Sequence, residues 1–386
     1  MLQIDHVYEF LYKTLFKDFC VFSLPKGVPT NLDINTINQY NLHVFNHKNT
    51  PSKIFFWDQE PISTGLTSAY IDFFKYKTDL DKCAVALVTS EYSKEFDQLL
   101  IEKDLKKLYY FFHGFAALDW YRGFYALNYE KKIIKDYKFD FISLNRIITN
   151  DRSYRIYLIS LLKESNLFKN GQISFNVTDN LFDDWQDEVA DPNTKLSNHA
   201  CQHAKTYLGS INKLVIDQDK LPGSASADIV RSNYYLDINC FWHIVTETVF
   251  YYDKLHLTEK IFKPIVSKQP FMLLASPGNL AYLKSYGFKT FDSVIDETYD
   301  SIQDNDLRTK AVVDQLHWYC NLTPGEKTNI IQQLEPIIEY NFHHFYGEFR
   351  HIITRELLDN TKTLFKEIGH DDGHINYANI HHVLTH

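Results

Sequence analysis

Short apolar runs bounded by polar turns recur along this chain, and most are too brief to be helices. Ser52-Lys-Ile-Phe-Phe-Trp57 reads as a buried strand that ends in Asp58-Gln59-Glu60-Pro61. Cys83-Ala-Val-Ala-Leu-Val-Thr89 predicts a second strand, leading into a helix near Glu91 to Leu100. Leu108-Tyr-Tyr-Phe-Phe112 predicts a third, running into His113-Gly114. Further strands are expected at Phe139-Asp-Phe-Ile-Ser-Leu144, from Tyr234 to Val245, and at Phe271-Met-Leu-Leu274. Helical spacing marks the segment after Tyr154, the trio Ile261, Ile265 and Val266, and then Ile330, Ile331, Leu334, Ile337 and Ile338 with Phe342, Phe345, Phe349 and Ile353. Strand, turn and helix in alternation predict an α/β fold with parallel sheets, followed by a helical C-terminus.

A chain of 386 residues exceeds one typical domain, and two of roughly 130 to 220 residues are expected. The polar run Tyr129-Glu-Lys-Lys-Ile-Ile-Lys-Asp136 is the best linker. The expected division is therefore an N-terminal domain over 1–135, a second over 136–325, C-terminal helices over 326–368 and a polar tail over 369–386. That tail is rich in His, but its spacing matches no structural zinc pattern, so no metal site is expected.

Net charge is −9, from 40 Lys and Arg against 49 Asp and Glu, so no global field draws nucleic acid or an anionic membrane. The five cysteines are far apart and form no CxxC pair, which fits reduced thiols. No window approaches the ~18 apolar residues of a membrane span and no signal peptide is evident, so a cytoplasmic protein is expected.

Chemistry concentrates in the second half. Thr258 is a good N-cap, with Glu259 and Lys260 in the first turn that follows. A helix start at the mouth of an α/β sheet is an anion site, Lys260 adds a full charge to it, and Glu259 can accept from a pair of ribose hydroxyls. An ordinary capped surface helix is the competing account. Glu247 stands at a strand end shortly before. Asn145-Arg146, Arg152 and Arg155 surround another strand-to-helix turn, where guanidinium forks suit phosphate, or else pair with nearby acids. In the first half, Glu60 lies beyond a strand and Pro61 sets its backbone direction. His113 is a second candidate base, or a core histidine.

Together these residues resemble the α1,3-fucosyltransferase-like glycosyltransferases. Glu247 with Leu257-Thr258-Glu259-Lys260 is similar to that family's Glu-Asn-Ser … Tyr-Thr-Glu-Lys signature. Phe141-Ile-Ser-Leu-Asn145 with Arg152 resembles its Val-Ser-Asn-Cys strand and downstream arginine, and Gln59-Glu60-Pro61 stands where the family has Glu-Ser-Pro. The run from Glu259 through Ser276-Pro-Gly278 to Phe291 also resembles glycosyltransferases of tailed bacteriophages. The resemblance implies the GT-B architecture, two Rossmann-like domains facing a cleft, and an inverting, metal-independent transferase using a nucleotide-diphosphate sugar and no other cofactor. Glu60 or His113 would be the catalytic base. Asn145, Arg146, Arg152, Arg155, Glu247, Thr258, Glu259 and Lys260 would bind the nucleotide sugar. The implied acceptor is 5-hydroxymethylcytosine in phage DNA, tracked by Lys103, Lys106, Lys107, Lys131, Lys132 and Lys135, or else a glycan. A nucleotide-sugar-binding protein without turnover is the reading from a different class.

Overall fold

The computed structural model describes residues 15–16, 20–23, 44–45, 54–57, 65, 67–69, 71–72, 84–130, 137–145, 147–175, 185–209, 211, 214, 216, 239–371, 373 and 375–378. The fold is mixed α/β with parallel sheets and a helical C-terminal part. The chain divides into two compact units, Met1–Asp119 with Glu348–His386, and Trp120–Gly347. The first unit is thus built from both ends of the chain. The helices expected to stand together after residue 326 are shared between the units.

Unit 1 holds a five-stranded sheet of β1 (Cys20–Ser23), β2 (Val44–Phe45), β3 (Ile54–Trp57), β4 (Ala84–Thr89) and β5 (Lys106–Tyr109), in the order β2-β1-β3-β4-β5. Only the β1–β2 pair is antiparallel. Helix α1 (Lys94–Lys103) joins β4 to β5; Ser93 caps it by accepting from Phe96 N at 3.1 Å, and Asp104 ends it in the left-handed region at φ 51°. Helix α2 (Phe112–Trp120) follows β5, and its buried face takes in His113, which is 6% exposed. This corrects the expectation of a strand running into a His-Gly turn. Gly114 meets a packing need instead: a Cβ there would lie 3.0 Å from the Phe349 ring and 3.3 Å from Ile353. Sequence alone cannot tell such a close-approach glycine from a turn glycine.

Unit 2 holds a four-stranded, wholly parallel sheet of β6 (Phe139–Ser143), β7 (Gly171–Ile173), β8 (Cys240–Thr246) and β9 (Phe271–Leu274), in the order β9-β8-β6-β7. All seven residues of β8 and all four of β9 are buried, as parallel strands covered on both faces should be. Gly171 is needed where β7 meets β6, because a Cβ would fall 2.3 Å from the Phe141 ring. After α3 (Arg122–Asn128) come α4 (Tyr154–Glu164), α5 (Trp185–Ala190), α6 (Asn198–Tyr207), α7 (Glu259–Val266), α8 (Asn279–Ser285), α9 (Asn305–Cys320) and α10 (Pro324–His344). Helix α4 packs on α6 and α9, and α7 on α3 and α10. The expected α10 periodicity is buried at Ile330, Ile331, Leu334, Ile338 and Phe342, and a Thr323/Glu326 capping box starts that helix. A π-helical turn, Phe345–Phe349, leads to α11 (Arg350–Glu367), which lies along β5 in unit 1 and donates Asn360 Nδ2 to Tyr109 O at 2.9 Å. Among the described residues no helix is long and apolar enough to cross a membrane.

Candidate functional site

Strand order locates the site in unit 2. From β6 the chain moves through α4 to β7 on one side, then returns past β6 to lay down β8 on the other. The loops leaving the C-terminal ends of β6 and β8 therefore start as neighbours and depart in opposite directions. Such a switch point is where open parallel sheets hold ligands.

The two loops are laced together by groups expected to bind the ligand. Asn145, fully buried, donates its N–H to Ser174 Oγ at 2.8 Å and Nδ2 to Ser143 Oγ at 2.9 Å and Ser174 O at 3.3 Å, and its Oδ1 accepts Thr246 Oγ1 at 3.2 Å. Its side chain thus ties three strand ends. Arg155, only 3% exposed, donates to Ile147 O at 2.8 Å, Thr246 O at 2.7 Å and Glu247 O at 3.4 Å. Tyr154 adds a 2.6 Å bond from its hydroxyl to Glu247 O and stacks on Phe250 at 3.9 Å. Asn145 and the Arg155 Nη1 and Nη2 groups accordingly bond to backbone and neighbouring side chains at the foot of these loops. Arg152 remains half-buried in the 3-10 turn Asn150–Arg152 that enters α4. Arg146 and Glu60 lie outside the described residues.

Glu247 leaves β8 fully buried, and its carboxylate braces the next element. Oε1 accepts Thr258 N at 3.1 Å; Oε2 accepts Thr258 Oγ1 at 2.5 Å and Thr248 N at 3.3 Å. Burial pushes the carboxyl above its ordinary range, while the Lys260 charge and the Thr258 hydroxyl pull it back and the Glu259 charge raises it further. Glu247, expected as a ligand contact, positions the cap through these bonds.

Thr258 starts α7 in extended conformation, and its hydroxyl accepts Lys260 N at 3.4 Å. From Ile261 to Val266 every residue of α7 is buried, so only the first turn, Glu259 and Lys260, reaches solvent. Lys260 Nζ lies 3.1 Å from Thr258 Oγ1, 3.3 Å from Thr248 Oγ1 and 3.2 Å from Glu259 Oε1. An ammonium here opposes the helix dipole, which favours anions at this end. Glu259 offsets part of that cost, and a phosphate oxygen would offset more. Sequence reasoning gives Thr248 no role; beside the same turn the Tyr121 hydroxyl donates to Glu259 O at 3.1 Å. A threonine on either side of a buried strand-end glutamate, Thr246-Glu247-Thr248, is the signal that was available for Thr248.

His113 belongs to unit 1, inside a helix rather than at a strand end. Of the lysines expected to track DNA, Lys103 pairs with Asp72 at 2.7 Å, Lys107 with Asp97 at 2.7 Å and Lys106 with Glu367 at 3.8 Å. Lys131, Lys132 and Lys135 lie outside the described residues. Among the described residues no group of three or more His, Cys, Asp or Glu is placed to hold a metal ion. No protein-family model matches the chain, and neither a curated protein nor a solved structure matches it.

Proposed function

We propose that unit 2 binds a nucleoside-diphosphate sugar and that the chain is an inverting, metal-independent glycosyltransferase of the two-domain, Rossmann-like GT-B kind. One observation carries this reading: the sheet's switch point coincides with a buried helix whose solvent-facing first turn presents a cation. As the sugar leaves, negative charge grows on the departing diphosphate. In this reading the Lys260 ammonium and the N–H groups of the α7 start take up that charge. Arg152, from the loop beside it, supplies further positive charge, and Glu259 accepts the ribose hydroxyls. The acceptor's proton passes to Glu60, with His113 as the second candidate.

The paired state of Lys103, Lys106 and Lys107, with the net charge of −9, favours a glycan hydroxyl over modified DNA as acceptor. A nucleotide-sugar-binding protein without turnover would share the same unit 2 chemistry. The discriminating experiment measures nucleoside diphosphate released from UDP-glucose and GDP-fucose by the wild type and by Glu60→Gln. Release should fall about 10²- to 10⁴-fold in the variant with nucleotide affinity intact. Equal release would remove Glu60 as the base, and no release from the wild type with nucleotide still bound would favour the non-catalytic reading.

A further inference from the structure

Helix α9 buries Val312, Val313, Leu316 and Tyr319 and turns its opposite face outward. On that face Asp314, His317, Trp318 and Asn321 follow at i, i+3, i+4 and i+7, which stacks them along one stripe. With Leu322 they line an open hollow of about 550 Å³. Trp185 and Trp242 are buried at 2% and 0% exposure, whereas Trp318 is 42% exposed. Its indole has no ring or hydrogen-bond partner among the described residues. A tryptophan left this open withholds a large apolar face and a donor from the core, where both would normally be used.

We propose that this hollow binds a neutral saccharide. A pyranose has a C–H face that lies flat on an indole and a rim of hydroxyls that both donate and accept. The hollow matches both features. Trp318 supplies the platform and Asp314 a carboxylate acceptor. Asn321 donates Nδ2 to His317 O at 2.8 Å, which holds the amide beside the imidazole and leaves its own oxygen to accept. Asp314 is paired with Lys310 at 2.6 Å, but both are more than half exposed, so the pair opens at little cost to a sugar hydroxyl. The inference stands independently of the nucleotide site.

The test is saturation-transfer NMR on the full chain with maltose, cellobiose, lactose and chitobiose. At least one should receive transfer on its ring protons. Its affinity should weaken about tenfold in Trp318→Ala, the loss expected for one aromatic stacking contact. Leu307→Ala, which removes an exposed apolar residue of the same helix, and Lys260→Ala should bind it as the wild type does. Absence of transfer to all four sugars overturns the proposal, as does an unchanged affinity in Trp318→Ala. A loss in Lys260→Ala equal to that in Trp318→Ala would also overturn it, by assigning the sugar to the nucleotide site.

Discussion

Two helix starts in unit 2 meet the same need in opposite ways. At α8 the chain provides its own anion: Asp300 accepts Leu280 N at 2.9 Å and Ala281 N at 3.0 Å. At α7 a neutral hydroxyl takes Lys260 N at the longer distance of 3.4 Å, and a lysine ammonium sits in the first turn. Glu259 Oε1 lies 3.2 Å from that ammonium, and a second carboxylate, Glu247, is buried beneath the cap and bonded to Thr258. At α8 a carboxylate thus accepts the first N–H groups, while at α7 a hydroxyl accepts one and a Lys260–Glu259 pair stands in the half-buried first turn at the sheet's switch point. Local sequence would rank both as ordinary capped helices, and the difference comes from which carboxylate the fold delivers to each.

The contrast can be broken most severely through the brace. Glu247→Ala strips acceptors from Thr258 N, Thr258 Oγ1 and Thr248 N in a buried place, and unit 2 should lose about 3 kcal/mol in denaturant unfolding. A loss near zero would mean that the cap stands without it. Next in size, Lys260→Ala should weaken nucleoside-diphosphate binding about 10- to 100-fold, the value of one charge-assisted bond, with thermal stability nearly unchanged. Fluorescence titration with a nucleotide analogue checks the first half and a melting curve the second.

The strand that feeds α7 supplies a pH handle. Burial, then the nearby Lys263 charge, lowers the His243 imidazole from its ordinary 6.5 to about 3. The unfolded chain thus binds a proton below pH 6.5 that the folded chain refuses until about pH 3, so stability should fall as pH drops through that window. The slope should approach but not exceed about 1.4 kcal/mol per pH unit and should flatten in His243→Asn. Unfolding curves at stepped pH read it directly. The smallest effect is expected at the closed helix start: Asp300→Ala should cost about 1 kcal/mol, as a lost N-cap does, and leave nucleotide affinity as it was. A fall in affinity there would erase the distinction between the two helices.

Much of this was legible before the structure. Thr258 as cap, the buried run Phe271–Leu274 and the apolar repeat of α10 are local patterns, and local patterns survive folding when tertiary packing agrees with them. What was not legible is which partners each residue meets. Asn145, Arg155 and Glu247 sit at the expected strand ends, and the bonds by which they tie loops together join residues that no local pattern brings into view. A residue's place at a strand end says that it borders the crevice, and only the fold says what it bonds. Gly114 misled for a similar reason, since its neighbour Phe349 is distant in sequence. Asp300 was passed over because the helix it caps begins about twenty residues before it, a reach that no capping pattern read along the chain covers.

The central claim is that positive charge in the first turn of α7 receives a diphosphate. Calorimetric titration of UDP and GDP into the wild type, Lys260→Ala and Asp300→Ala tests it most directly. The account predicts binding of at least one nucleotide, weakened about 10- to 100-fold by Lys260→Ala and unaltered by Asp300→Ala. Identical affinities in the wild type and Lys260→Ala would contradict it.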